Sequence, residues 1–233
     1  MKLRRRIAGG AGAVEALRKT WSDYPEEWQS DGALSRGAGT LGEEWGGSQF
    51  ADLIVELVAP YLGPEADVLE LGCGGGKFSQ RLAPRCRSLL CGDISAEMIK
   101  HARANLQARQ LDGKVDYIVL NGVDFEGVAD ASVDFIFSYD VQLHLQPENV
   151  FSYLKDARRV LRDGGVFMLH QVNLASEGGM DHFLTQAQFG AWRCDLYDRR
   201  RRALRAARVG AALAMGMSQR RSCCPGARAS AGG

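Results

Sequence analysis

The chain has 233 residues, 45% apolar and 24% charged, with a formal net charge of +1. These are ordinary globular values, with room for one domain plus extensions, and the near-neutral sum favours neither a nucleic-acid surface nor a membrane surface. That sum hides an asymmetry, because residues 193–233 carry ten Arg against two Asp, about +8, which leaves about −7 on the rest. The six cysteines show no metal-ligand spacing and no disulfide framework, so no metal is expected. The basic start, Met1 to Arg6, is not followed by an apolar signal region, and no run approaches the ~18 apolar residues of a membrane span. The expectation is a soluble cytoplasmic protein with no membrane partner.

Residues 1–48 read as an N-terminal extension. It is weakly helical from about Ala11 to Lys19 and irregular over 21–48, where Pro25 and many glycines surround Trp21, Trp28 and Trp45. Aromatics in such a segment suit either a cover folded over a site or plain packing against the domain. From Gln49 to Leu62, the residues Phe50, Leu53, Ile54, Leu57, Val58 and Tyr61 recur on one face of an amphipathic helix, which Gly63-Pro64 ends.

Asp67–Leu71 reads as a buried strand. Gly72, Gly74, Gly75 and Gly76 follow at once, and a helix runs from about Lys77 to Leu82 before Pro84. Glycines permit positive φ and let a ligand approach the backbone, while the N–H groups of a helix start face a carboxylate or phosphate. Spacing separates the ligands. A dinucleotide turn needs G-x-G-x-x-G, but Lys77 stands at the third position. The sequence has instead Glu70, Gly72, Gly74 and Gly76, an E-x-G-x-G-x-G pattern.

Ser88–Cys91 is a second strand ending in Gly92-Asp93. Ser95 caps a helix that runs to about Gln110, and Gly113 breaks the chain after it. Val115–Leu120 and Val133–Ser138 are further strands. Pro147 opens a helix with Val150, Leu154, Ala157 and Leu161 inward, and Asp163-Gly164-Gly165 turns into a fifth strand, Val166–His170. Alternating strands and helices predict an α/β fold, a Rossmann-like doubly wound parallel sheet covered on both faces. Ligands in such sheets bind beyond the carboxyl ends of the strands. The glycine turn, Asp93, Asn121 and Tyr139-Asp140 all fall there.

With Glu70 to Gly76, the stretches Gly92-Asp93-Ile94-Ser95, Ser132 to Ser138 and Arg159 to Gly165 make residues 49–172 resemble class I S-adenosylmethionine (SAM) dependent methyltransferases of the type-11 or type-25 kind. The resemblance implies SAM as cofactor and methyl transfer to an O or N acceptor on a small-molecule substrate. It implies that the backbone of Gly72, Cys73, Gly74 and Gly76 cradles the cofactor, and that Glu70 orients this loop or reaches the cofactor's amino end. A carboxylate at Asp93 suits the ribose hydroxyls, as in nucleotide folds generally, or caps the next helix. Ile94 and Met98 flank the adenine or belong to the ordinary core. Asn121 or Asp124 accepts from the adenine amino group. Ser138 and Tyr139 open the segment facing the methyl group. His144, then Asp140, are the candidate bases, the alternative being that His144 simply packs under the next helix.

Other functions compete. Methylation of RNA or protein needs a basic or extended surface, which the acidic residues 1–192 do not offer, so no nucleic-acid partner is expected. A nicotinamide dehydrogenase is opposed by Lys77, and an inactive SAM-binding protein is a further alternative. The family's fold ends with two more strands in an antiparallel hairpin, and the sequence after residue 190 supplies neither. The expected domains are therefore a cover, 1–48, a SAM-binding domain, 49–190, and an Arg/Ala/Gly-rich tail, 191–233. That tail reads as a frameshifted end, with a basic arm for RNA as the rival.

Overall fold

The computed structural model describes residues 11–30, 40–42 and 47–171, and five parallel strands run through it. They are β1 (Gly63–Leu71), β2 (Cys86–Asp93), β3 (Val115–Val119), β4 (Val133–Ser138) and β5 (Leu161–Leu169), ordered β3-β2-β1-β4-β5. The helices are α1 (Ala11–Ser30), α2 (Gly47–Val58), α3 (Ser79–Leu82), α4 (Ala96–Ala108) and α5 (Pro147–Val160). The strand order reverses between β1 and β4, which pair from Val68–Phe135 to Glu70–Phe137. The connections leave in opposite directions there and open a crevice beyond Leu71 and Ser138.

Successive side chains alternate across the sheet. Val68, Leu89, Phe135 and Phe137 pack with Ile54 of α2, Leu82 of α3 and Ala102 of α4 on one face. Leu69, Leu71 and Ile136 pack with Tyr153, Ala157 and Val160 of α5 on the other. Both faces are covered, which is why the strands carry apolar residues at consecutive positions. At the opposite end of the sheet, Arg162 bonds Asp134 at 2.7 Å and Asp67 at 2.8 Å, and the Asp67 N–H donates to Asp134 at 2.8 Å. Asp134 is thus structural, clamping the starts of β1 and β4.

Several local expectations are corrected. Helix α1 runs through Pro25 to Ser30, so Trp21 and Trp28 stand in a helix rather than in irregular chain. Its docking on α4 extends it beyond what local propensity suggests. On α2 the buried residues are Ala51, Ile54, Val55 and Val58, while Leu53 and Leu57 are 54% and 44% exposed. The small Ala51 lets the helix sit close, and this turns the two leucines outward. On α5 the buried residues are Asn149, Tyr153, Ala157 and Val160; Ala157 is inward as expected, while the face turns from Val150 and Leu154 toward Asn149 and Tyr153. Leu161 already belongs to β5. The expected Asp163-Gly165 turn is an irregularity inside that strand, where pairing jumps from Val133–Leu161 to Phe135–Val166 and Gly164 takes φ +79°. The expected tail and the missing terminal hairpin lie outside the described residues.

Candidate active site

The glycine loop leaves β1 at the crevice. Gly72 and Cys73 both donate their N–H to Gly92 O on β2, at 2.7 and 3.1 Å, which pins the loop to the neighbouring strand. Its glycines serve different ends. A Cβ on Gly72 would stand 2.2 Å from Val141 Cγ2, and one on Gly76 would stand 3.0 Å from Asn105 and Leu106 on α4. These two are set by packing. Gly74 has φ +52° and open space, with nothing within 4 Å of a Cβ built there.

Asp93, at the end of β2, accepts the Gly74 N–H on Oδ2 at 2.9 Å and the Ser95 N–H on Oδ1 at 2.9 Å. Burial raises its pKa, against the backbone N–H groups of Ser95, Gly74 and Ile94 that favour the charged form. With about four lone-pair sites and these three N–H groups, the carboxylate keeps some acceptor capacity to spare. Ser95 caps α4, its Oγ accepting from the Met98 N–H at 3.2 Å.

Glu70 lies beneath the loop and does not line the cavity. Ser79 Oγ donates to it, and Cys91 Sγ is 3.9 Å from the same carboxylate oxygen. Burial pushes its pKa up to about 8, with the charge of Asp93 adding to the rise and the Ser79 bond opposing it. Its bond from Ser79 fastens the start of α3 to β1 beneath the loop.

A cavity of about 130 Å³ opens over the loop, many times what one water needs. One half is lined by Gly72, Cys73, Gly74, Asp93, Ile94 and Met98, with Tyr153 beside Gly122, and the other by Tyr139, Asp140 and His144. Trp21, Tyr24 and Leu41 come over it from before the sheet. Besides Glu70, three sequence-predicted residues stand behind the lining, Gly76, Ser138 and Asn121. Gly76 packs on α4. Ser138 Oγ donates to Leu71 O at 2.9 Å and accepts from Gln142, tying together the ends of β1 and β4. Asn121 turns back on its own chain, accepting from the N–H groups of Val123 and Asp124 at 2.8 and 2.9 Å while its Nδ2 donates to Asp124 at 2.7 Å. Neither Asn121 nor Asp124 lines the cavity; their neighbours Leu120 and Gly122 do.

In the second half, Tyr139 is buried and stacks on His170 at 4.2 Å, with ring planes 6° apart. Asp140 takes φ +60° and brings Oδ1 within 2.9 Å of His170 Nδ1. His144 meets the indole of Trp21 edge-on at 4.9 Å. The residue as a whole is exposed, but desolvation of the ring by the surrounding atoms lowers its pKa, and the charge of Asp140 opposes this. Among the described residues, several contacts hold the roof. Arg18 Nη1 donates to Ile94 O at 2.9 Å, Ser22 Oγ lies 3.2 Å from Ser95 Oγ, and Leu41 sits so close on Gly75 that a Cβ there would be 2.3 Å from Leu41 Cβ.

Residues 69–169, from mid-β1 to the end of β5, match the methyltransferase domain family. This chain carries a class I SAM-dependent methyltransferase domain. The domain is 26% identical, over 115 residues, to a probable S-adenosylmethionine-dependent methyltransferase of Saccharomyces cerevisiae, a match covering 49% of this chain and 38% of that protein. It is 26% identical over 155 residues to phosphoethanolamine N-methyltransferase 1 of Caenorhabditis elegans, covering 66% of this chain and 30% of that one. The chain thus spans about a third of the length of these curated relatives. Among solved structures it resembles phosphoethanolamine N-methyltransferase 1 of Haemonchus contortus, with a TM-score of 0.52 at 22% identity over 68% of this chain and 33% of that one. This likeness reports the fold of the methyltransferase domain. No described helix is long and apolar enough to cross a membrane.

Sequence reasoning missed Tyr153 and Leu120 as lining residues. Tyr153 carries no local signal, being one aromatic in an amphipathic helix. Leu120 directly follows the last residue of β3, where its position at the carboxyl end of a strand could have suggested it.

Proposed function

We propose that this methyltransferase domain binds SAM across the ends of β1 and β2 and methylates an O or N atom of a small molecule. The carrying observation is the open space at Gly74 directly beside the carboxylate of Asp93. The residues present fit the cofactor. Gly72, Cys73 and Gly74 offer backbone at the loop, Asp93 offers acceptors for the ribose diol, and Ile94 and Met98 offer apolar surface for the adenine. Leu120 and Gly122 border the same end, and their backbone is a better candidate for the adenine edge than the side chain of Asn121 or Asp124. Bound SAM would supply a methyl group on a sulfonium, which departs as a neutral thioether when an acceptor lone pair takes the methyl carbon.

The chain's own part is to hold the acceptor in line and, where the acceptor carries a proton, to take it. His144 faces the acceptor half of the cavity, and its lowered pKa keeps it neutral at physiological pH, as a base must be. Among the described residues before α2, Trp21, Tyr24 and Leu41 act as a cover over the site. This enclosure, and the acidic balance of residues 1–192, support a small molecule over a nucleic acid. The buried free thiols Cys73, Cys86 and Cys91 suit a reducing, cytoplasmic setting.

The test is calorimetric titration of the full chain with SAM and with S-adenosylhomocysteine, followed by transfer of radiolabelled methyl to a panel of small hydroxyl and amine compounds. Stoichiometric binding of both and labelling of a panel member are expected. A folded protein that binds neither would overturn the reading.

A further inference from the structure

We infer that Trp21 of α1 is a positioning residue for His144, so that a helix preceding the sheet completes the acceptor half of the site. The inference rests on the methyltransferase reading for its purpose, and on the following geometry for its content.

His144 belongs to a single 3-10 turn, Gln142–His144, between β4 and α5, where its N–H bonds back to Val141 O at 3.0 Å. So short an element gives its side chain little support from its own side. Support comes from across the cavity, where the indole of Trp21 meets the imidazole at 4.9 Å with the planes 78° apart. The indole is itself braced. It lies edge-on to Tyr24 at 5.5 Å and packs on the buried pair Leu41 and Met98. One residue further on, Ser22 meets Ser95, and one turn earlier Arg18 bonds Ile94 O.

The register of Trp21 is thus fixed against the segment Asp93–Ser95, which also holds the glycine loop. Helix α1 joins the two halves of the cavity, and the imidazole is set relative to the cofactor side through it. The indole covers one side of a residue that is otherwise exposed. Among the described residues, the charged side chain that acts on His144 is Asp140, from its own loop, and it favours the charged ring. From α1 the ring receives the uncharged indole, which favours the neutral ring.

The test is proton NMR titration of the imidazole rings in the full chain without ligand, with His144→Gln assigning the His144 signal among the four histidines. In Trp21→Ala the His144 pKa is expected to rise toward the ordinary value of about 6.5, and in Trp21→Phe it is expected to stay lowered. Trp21→Leu keeps the apolar packing should the alanine variant not fold, and is expected to move the pKa in the same direction by less. A folded Trp21→Ala or Trp21→Leu protein whose His144 titrates as in the wild type would overturn the inference. A parallel titration of the wild type with S-adenosylhomocysteine separates the two claims. Failure to bind it counts against the methyltransferase reading, whereas the ring titration needs no ligand and decides the role of Trp21 by itself.

Discussion

The carboxylate of Asp93 accepts the backbone N–H of Gly74 at 2.9 Å. The end of β2 therefore shapes the loop that leaves β1, and one side chain serves both the loop and the proposed ribose site. Asp93→Ala should weaken SAM and S-adenosylhomocysteine equally, by about 1.5–3 kcal/mol, the size of a lost charged hydrogen bond. Calorimetry on both ligands checks this. A loss for one and not for the other would contradict a contact to the ribose they share.

Gly74→Val should abolish SAM binding in a protein that still folds. No protein atom lies within 4 Å of a Cβ at this position, so the ligand space receives it. The left-handed backbone adds a cost of about 1–2 kcal/mol or more to stability. Thermal melting and calorimetry together give the expected pattern, a modest fall in Tm with no binding. Near wild-type affinity in the folded variant would refute the cradle.

Glu70 makes stability depend on pH. Its carboxyl is raised to about 8 in the folded protein against 4.5 for the unperturbed group. Between those values the folded state keeps a proton that the unfolded chain has lost, so stability falls as pH rises through the window. The size is a few kcal/mol at ~1.4 kcal/mol per pH unit. Glu70→Gln can still accept from Ser79 and has nothing to titrate. Urea unfolding at several pH values from about 5 to 8 should show a flatter profile for the variant than for the wild type.

Asp140→Asn should move the acid limb of the methyl-transfer pH profile to lower pH. The Asp140 charge raises the His144 pKa, so removing it lowers that pKa further and leaves the base neutral over a wider range. Asparagine also tolerates the φ of +60° at this position. The profile of kcat/KM for whichever panel compound is methylated checks the direction, and a shift to higher pH would remove His144 as the base.

What was legible in the sequence was what local pattern controls. Val133–Ser138 and Pro147 as a helix start were read at their observed positions, because apolar runs and proline act within a few residues. The ends of α1 and the buried faces of α2 and α5 were not, since neighbours distant in sequence set them. Leu53 and Leu57 match the helical period as well as Ile54 does, and only Ala51's close approach to the core decides which side turns inward. At the site, the glycine loop and Asp93 were legible from spacing. The turn that occupies Asn121 was a local Asn signal outweighed by the expectation of an adenine contact. The roof over the cavity was only half visible, as aromatics without an address.

The position of that roof in the chain has a consequence for folding. Arg18 and Ser22 find their partners 76 and 73 residues downstream, at the end of β2 and the start of α4. Helix α1 leaves the ribosome before any of the surface that will receive it exists. Closing so long a loop gains nothing until β1, β2 and α4 have assembled. The docking of α1 is therefore expected to come late, so that substitutions along it should speed unfolding while leaving the folding rate almost untouched, as chevron kinetics would check.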